Sequence, residues 1–173
     1  INTGFEPAFV MVKNVDSTDN WLIFDNKRNT GNPRNNLLQM NLGAAESSEA
    51  GAQMNFYSNG FQSVGTGGGA GSGQINANGD TYLYWAIAAD ADTDAPTLAN
   101  SFNIEVYNGT KTNEQSITGF GFDPNLIWIK NRDASDHWSI FDTIRGSTAL
   151  LQVNDSGAEQ SFTAFDFITG GFS

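Results

Sequence analysis

Three sets of residues in this 173-residue chain have types and spacing that could do chemistry. The first is Asp16-x-x-Asp19-x-Trp21, which recurs as Asp133, Asp136 and Trp138. Carboxylates accept hydrogen bonds from hydroxyls and an indole stacks on the apolar face of a sugar ring, so such a turn is a candidate glycan contact. The same residues fit a structural reading, in which the aspartates close Asx turns and the tryptophans fill a core from the strand that follows. The second set is Asp90, Asp92 and Asp94, the alternating carboxylates of a calcium loop, whose oxygens can converge on one hard cation. Ala95 stands where an EF-hand loop has Gly and Ser101 where it has its bidentate Glu, so the run is either a solvated acidic linker or an incomplete calcium site. The third is the glycine-rich stretch 65–73, which lacks the Gly-Lys-Ser/Thr of a phosphate loop and predicts a surface loop.

None of these sets makes a catalytic site. Paired carboxylates can hydrolyse glycosides, but here they recur in turns flanked by Ser, Thr and Asn. His137 is the only histidine and stands opposite Asn20 in the repeat described below, so a scheme using it would not be shared between copies. There is no G-x-S-x-G elbow for a nucleophilic serine. With no cysteine there is no thiol nucleophile, disulfide framework or cysteine-based zinc site. The expectation is a chain that is not an enzyme and needs no cofactor, calcium being the one open candidate.

Eight basic against nineteen acidic residues give a formal charge of −11. That balance opposes counterion-release binding to nucleic acid and attraction to anionic lipid. No apolar run approaches the roughly 18 residues that span a bilayer, so membrane insertion is not expected. Thirteen Phe and four Trp provide the apolar surface for a packed core.

The elements that must position these residues come in two copies. Gly4-Phe5-Glu6-Pro7 returns as Gly121-Phe122-Asp123-Pro124, and the offset of 117 holds without a gap to Arg28 and Arg145, with twelve of twenty-five positions identical. Lys13/Lys130, Phe24/Phe141, Asp25/Asp142 and Arg28/Arg145 are among them. After extra residues around Thr30 to Pro33, the match resumes at Leu37-Leu38/Leu150-Leu151, Ala45-Glu46/Ala158-Glu159, Phe56/Phe167 and Gly60-Phe61/Gly171-Phe172. A unit of roughly 115 residues is the size of one β-sandwich domain, too long for a solenoid rung. The predicted organisation is a first repeat over 1–89, an acidic linker over 90–100 and a second repeat over 101–173. In phase, the first copy lacks an opening strand matching Ser101 to Tyr107, and the second lacks a closing strand matching Tyr82 to Ala88. Without an initiator Met the chain reads as part of something longer, and such incomplete copies would invite strand exchange between neighbours.

Local signals are strand and turn. Ala8 to Lys13 and Asn20 to Asp25 are rich in Val, Ile, Phe and Trp and flank the turn-forming run 14–19. The continuous apolar run Leu126 to Ile129 predicts a strand covered on both faces. Residues 43–54 predict a loop with at most one helical turn.

Along Gly4 to Lys13 and Gln115 to Lys130 the sequence resembles a recurrent domain of marine bacteriophage structural proteins. The segments Asp142 to Gly146, Ala44-Ala45-Glu46, Ser58 to Phe61 and Tyr82 to Trp85 extend the resemblance over nearly the whole chain. It implies an all-β fold of tandem antiparallel, jelly-roll-like sandwiches of the concanavalin or laminin-G kind. It also implies a place on a virion surface, as tail fibre, spike or capsid decoration. The partners would be other virion proteins or copies of the chain in a homo-oligomer, with host glycan as a ligand; the alternative is a bacterial extracellular adhesin or filament subunit. The first copy departs from the pattern with Met11 where the second has Trp128, and with Arg28-Asn29-Thr30-Gly31 in place of Arg-Gly.

Overall fold

A computed structural model of the chain describes residues 1–65, 72–89, 102–111 and 115–173. Among these residues the fold is all-β, with every paired strand antiparallel and one helix of five residues. The chain separates into two compact units, Ile1–Asp90 with Arg132–Asp136, and Ala91–Asn131 with His137–Ser173.

The first unit contains β1 (Pro7–Asn14), β2 (Leu22–Asp25), β3 (Asn36–Gln39), β4 (Ser47–Ser48), β5 (Gln53–Tyr57), β6 (Gly60–Val64), the helix α1 (Ser72–Asn76) and β7 (Tyr82–Ala88). Five of the strands form a sheet in the order β4-β3-β2-β1-β7, and β5 and β6 make a separate hairpin. β1 and β2 form where β-branched and aromatic residues cluster, and the polar run between them lets β1 turn back so that Val10 faces Phe24 and Val12 faces Leu22. β7 pairs along the other side of β1, with Met11 opposite Trp85 and Val12 opposite Tyr84. Both groups of strands contribute to one core: Val10, Val12, Leu22, Phe24 and Leu37 from the sheet, Met54, Phe56 and Phe61 from the hairpin. Burying one such side chain contributes about 1.5–3 kcal/mol. Arg34, also buried, lies over the Phe56 ring with its guanidinium carbon 4.2 Å from the centroid, a cation–π contact that offsets part of its desolvation.

The second unit contains β8 (Ile117–Thr118), β9 (Leu126–Ile129), β10 (Ser139–Asp142), β11 (Gly146–Gln152), β12 (Gln160–Ser161), β13 (Phe167–Ile168) and β14 (Gly171–Phe172). They form a four-stranded sheet, β12-β11-β10-β9, and a three-stranded one, β13-β14-β8. Ile127, Phe141, Leu150, Phe165 and Phe172 make its core, with the Phe141 and Phe165 rings stacked at 3.9 Å. Each of these five stands at the position of a core residue of the first unit: Val10, Phe24, Leu37, Met54 and Phe61. The sequence repeat is therefore a repeat of the core.

One glycine per unit shows why the repeat keeps Gly before Phe. A Cβ on Gly60 would sit 2.1 Å from the carbonyl oxygen of Ile1, and one on Gly171 would sit 1.8 Å from that of Ile117. At each place a neighbouring stretch of backbone passes too close for any side chain.

Three expectations need correction or qualification. Leu126 to Ile129 is a strand, but β9 ends its sheet, and Leu126 is 58% and Trp128 37% exposed; an apolar run cannot tell a covered strand from an edge whose neighbour lies elsewhere in sequence. The glycine-rich stretch 65–73, expected as a surface loop, follows β6 and runs into the five-residue α1 at Ser72, and its residues 66–71 lie outside the described residues. Residues 102–107 carry no assigned strand, and Tyr107 instead packs edge-on against Phe172 at 5.8 Å.

Candidate functional site

The Asp16/Asp19 turn is built around Asn14, the last residue of β1 and wholly buried. Asn14 Nδ2 donates to Asp80 Oδ2 at 2.7 Å, to the Tyr82 hydroxyl at 3.3 Å and to Asp19 Oδ2 at 3.4 Å, and its Oδ1 accepts from Asp16 N at 2.9 Å. Asp16 Oδ2 takes the Thr81 N–H at 2.6 Å, Val15 N donates to Thr81 O at 3.0 Å, and Ser17 donates its hydroxyl to Asp19. Of the two carboxylates that read as ligand contacts, Asp16 thus ties the β1–β2 turn to the lead-in of β7 and Asp19 closes the turn on itself through Asn14 and Ser17. Burial first, countered by the Ala77 N–H and aided by Asp80, Asp19 and Asp16, raises the Tyr82 hydroxyl above its ordinary pKa. Asp80 lies 64 positions from Asp16 in sequence, and no local pattern connects the two.

Trp21 is half-buried, and its backbone N–H donates to Asn41 Oδ1 at 3.0 Å. In the repeat, Trp138 N makes the matching bond to Asn154 Oδ1 at 2.9 Å, and the residue is 7% exposed, so its indole serves packing. Asp133 and Asp136 are exposed and group with the first unit, whereas Trp138 groups with the second. His137 is exposed beside Asn154, with Nδ1 and the amide nitrogen 3.0 Å apart. Asp90, Asp92 and Asp94 lie outside the described residues. Among the described residues no group of three or more His, Cys, Asp or Glu side chains is placed to hold a metal ion.

A second constellation, whose members the sequence marks only as repeated, is an Asp–Arg–Glu brace. In the first unit Asp25 Oδ1 accepts from Lys27 N at 3.0 Å and Arg28 N at 2.8 Å, while its Oδ2 pairs with Arg28 Nε. Arg28 continues to Glu46 at 2.9 Å and to Ile23 O at 2.9 Å. Glu46 also accepts from Arg132 at 2.6 Å. In the second unit Asp142 accepts from Ile144 N and Arg145 N at 3.0 and 2.9 Å and pairs with Arg145 Nε at 2.6 Å. Arg145 reaches Glu159 at 3.1 Å and Ile140 O at 3.4 Å. The backbone N–H of Arg145, then its side chain and charge, hold the Asp142 carboxyl below the usual carboxylate range against the opposing effect of burial. The brace fixes the turn after β2 or β10 to the loop before β4 or β12, and it is closed in the first unit, where the Asp25 and Arg28 side chains are each 4% exposed.

Apolar side chains also stand in solvent on the terminal strands of both larger sheets: Leu83, Tyr84 and Trp85 on β7, Leu126 and Trp128 on β9. Otherwise a shallow, open depression is lined by Ile1, Asn2, Tyr57, Asn59, Phe61 and Gln62. Fold and site together define an all-β chain of two similarly built units with braced turns and apolar sheet edges. The chain belongs to the family described as Domain of unknown function (DUF7483), which matches residues 1–91 and 98–173. No curated protein and no solved structure matches it.

Proposed function

We propose that the chain is part of a non-enzymatic virion-surface protein, a fibre, spike or capsid-decoration element of a tailed phage built from tandem concanavalin- or laminin-G-like sandwiches. The resemblance at Gly4 to Lys13 and Gln115 to Lys130 suggests the setting. The observation that carries the role is the apolar edge of each larger sheet, because aromatic and aliphatic side chains left on terminal strands of an otherwise acidic surface mark places of association. Subunit contacts, with other virion proteins or copies of the chain, are the main activity. Host glycan is a second ligand, met in the first unit by the half-buried Trp21 beside the turn that Asp16 and Asp19 hold in shape.

The glycan contact is tested by measuring binding of labelled protein to host cells and their extracted surface polysaccharide, with Trp21→Ala and Trp138→Ala in parallel. Saturable binding lost in folded Trp21→Ala and kept in folded Trp138→Ala is the expected result. Absence of binding by folded protein would remove the glycan role and leave subunit contact alone.

A further inference from the structure

β1 and β9 occupy the same place in the repeat, yet among the described residues β1 has strands on both sides and β9 on one. Positions 9–12 of β1 match 126–129 of β9 at the offset of 117, and each pairs with the equivalent next strand: Val10 with Phe24, Ile127 with Phe141. On its other side β1 carries β7 along its whole length, in the register Val10/Ala86, Met11/Trp85, Val12/Tyr84, Lys13/Leu83 and Asn14/Tyr82. The Trp85 ring meets Phe9 edge-on at 6.3 Å. Among the described residues no strand lies on that side of β9.

The difference shows in the side chains. Phe9 and Met11 are half-buried beside β7, while Leu126 and Trp128 at the same positions are exposed. Replacing Met11 by Trp128 puts a larger apolar surface at the point where β7 would lay Trp85. An edge strand with open backbone groups and large apolar side chains is the arrangement that accepts an added strand, the backbone giving affinity and alternate side chains giving selectivity.

We infer that the outer edge of β9 is a strand-acceptor site for an extended segment with the chemistry of Tyr82–Ala88, pairing antiparallel in the register that β7 adopts on β1. The occupant is read from the molecule itself, since the matching edge of the first unit already holds such a strand. The site follows from the repeat and is independent of the virion reading, so either can fail alone.

The probe is a fluorescent peptide with the sequence of residues 80–89, titrated into the full chain by anisotropy, with amide hydrogen exchange at saturation. Saturable binding is expected, with exchange at Leu126 to Ile129 slowed about tenfold or more, the signature of newly made ladder bonds. A peptide carrying proline at the Trp85 and Ile87 positions should not bind, because proline cannot donate to a ladder. The double variant Leu126→Lys/Trp128→Lys changes only exposed side chains and should weaken binding about tenfold or more, equivalent to about 1.4 kcal/mol, with an unchanged circular dichroism spectrum. The proposal is overturned by no binding to folded chain, by equal binding of the proline peptide, or by protection falling on β7 instead of β9. Protection of β9 in a dimer of the chain before peptide is added would also overturn it, by making a second β9 the occupant.

Discussion

Asp25 and Asp142 do the same work in surroundings of different depth. Each caps its turn through two backbone N–H groups and grips the arginine three residues on, but the Asp25–Arg28 pair is nearly closed to solvent whereas the Asp142 and Arg145 side chains are 20% and 23% exposed. Removing one partner of a buried pair leaves the other charge desolvated, so Arg28→Ala is expected to cost about 3–5 kcal/mol, and Arg145→Ala distinctly less. Urea unfolding of the two variants beside the parent chain checks the order. Asp142 carries a pH signature as well. Its folded-state pKa is depressed, so its contribution is complete above the unfolded-state value of about 3.9 and is lost as pH falls through the folded-state value. Asp142→Asn should therefore destabilise the chain at about pH 6 and cost progressively less toward pH 2, as read by denaturant midpoints across that range. The brace was legible in the sequence as identities at Asp25/Asp142, Arg28/Arg145 and Glu46/Glu159, but not as a network. Its glutamate lies across an insertion whose length differs between copies. Likewise Asp16 and Asp19 were legible as polar turn residues, while the ties of Asp16 to Thr81 and of Asn14 to Asp80 depend on a strand pairing that no local pattern encodes.

At the scale of elements, the close passes at Gly60 and Gly171 set how β6 and β14 meet their neighbours. Gly60→Ala or Gly171→Ala forces a methyl against a backbone carbonyl that cannot retreat as a flexible side chain would. Each is expected to lower stability by about 1–3 kcal/mol, the cost of overpacking a tight site. A thermal-denaturation series including Gly109→Ala, where a Cβ meets nothing within 4 Å, distinguishes this clash from the general effect of replacing glycine. The main strands of the first unit were readable because their residues alternate or cluster in the manner of half-buried strands: 8–13 lies within β1, and β2 within 20–25. The place of β9 was not readable. Leu126 to Ile129 is apolar enough for a central strand, and edge or centre is decided by whether another strand docks, which is a property of topology.

For the molecule as a whole, the repeat was the most informative signal in the sequence, and the paired cores explain why it persists. Phe24/Phe141, Leu37/Leu150 and Phe61/Phe172 are identical, and Val10/Ile127 and Met54/Phe165 change size within apolar chemistry, as cores of one plan tolerate. The surface has diverged more freely, with Asn20 against His137 and Val15 against Arg132. Function is less legible than fold for the same reason: the acidic surface, braced turns and apolar edges support the association proposed above, and no motif in the sequence encodes it. The central claim is that this association takes place on a virion. Its most direct test is mass spectrometry of gradient-purified phage particles from the source culture, with and without surface biotinylation of the intact particles. The account predicts peptides of this chain at structural-protein abundance, biotinylated at Lys27 or another exposed lysine. Absence from the particles, with the chain recovered instead from bacterial cell envelopes, would contradict it.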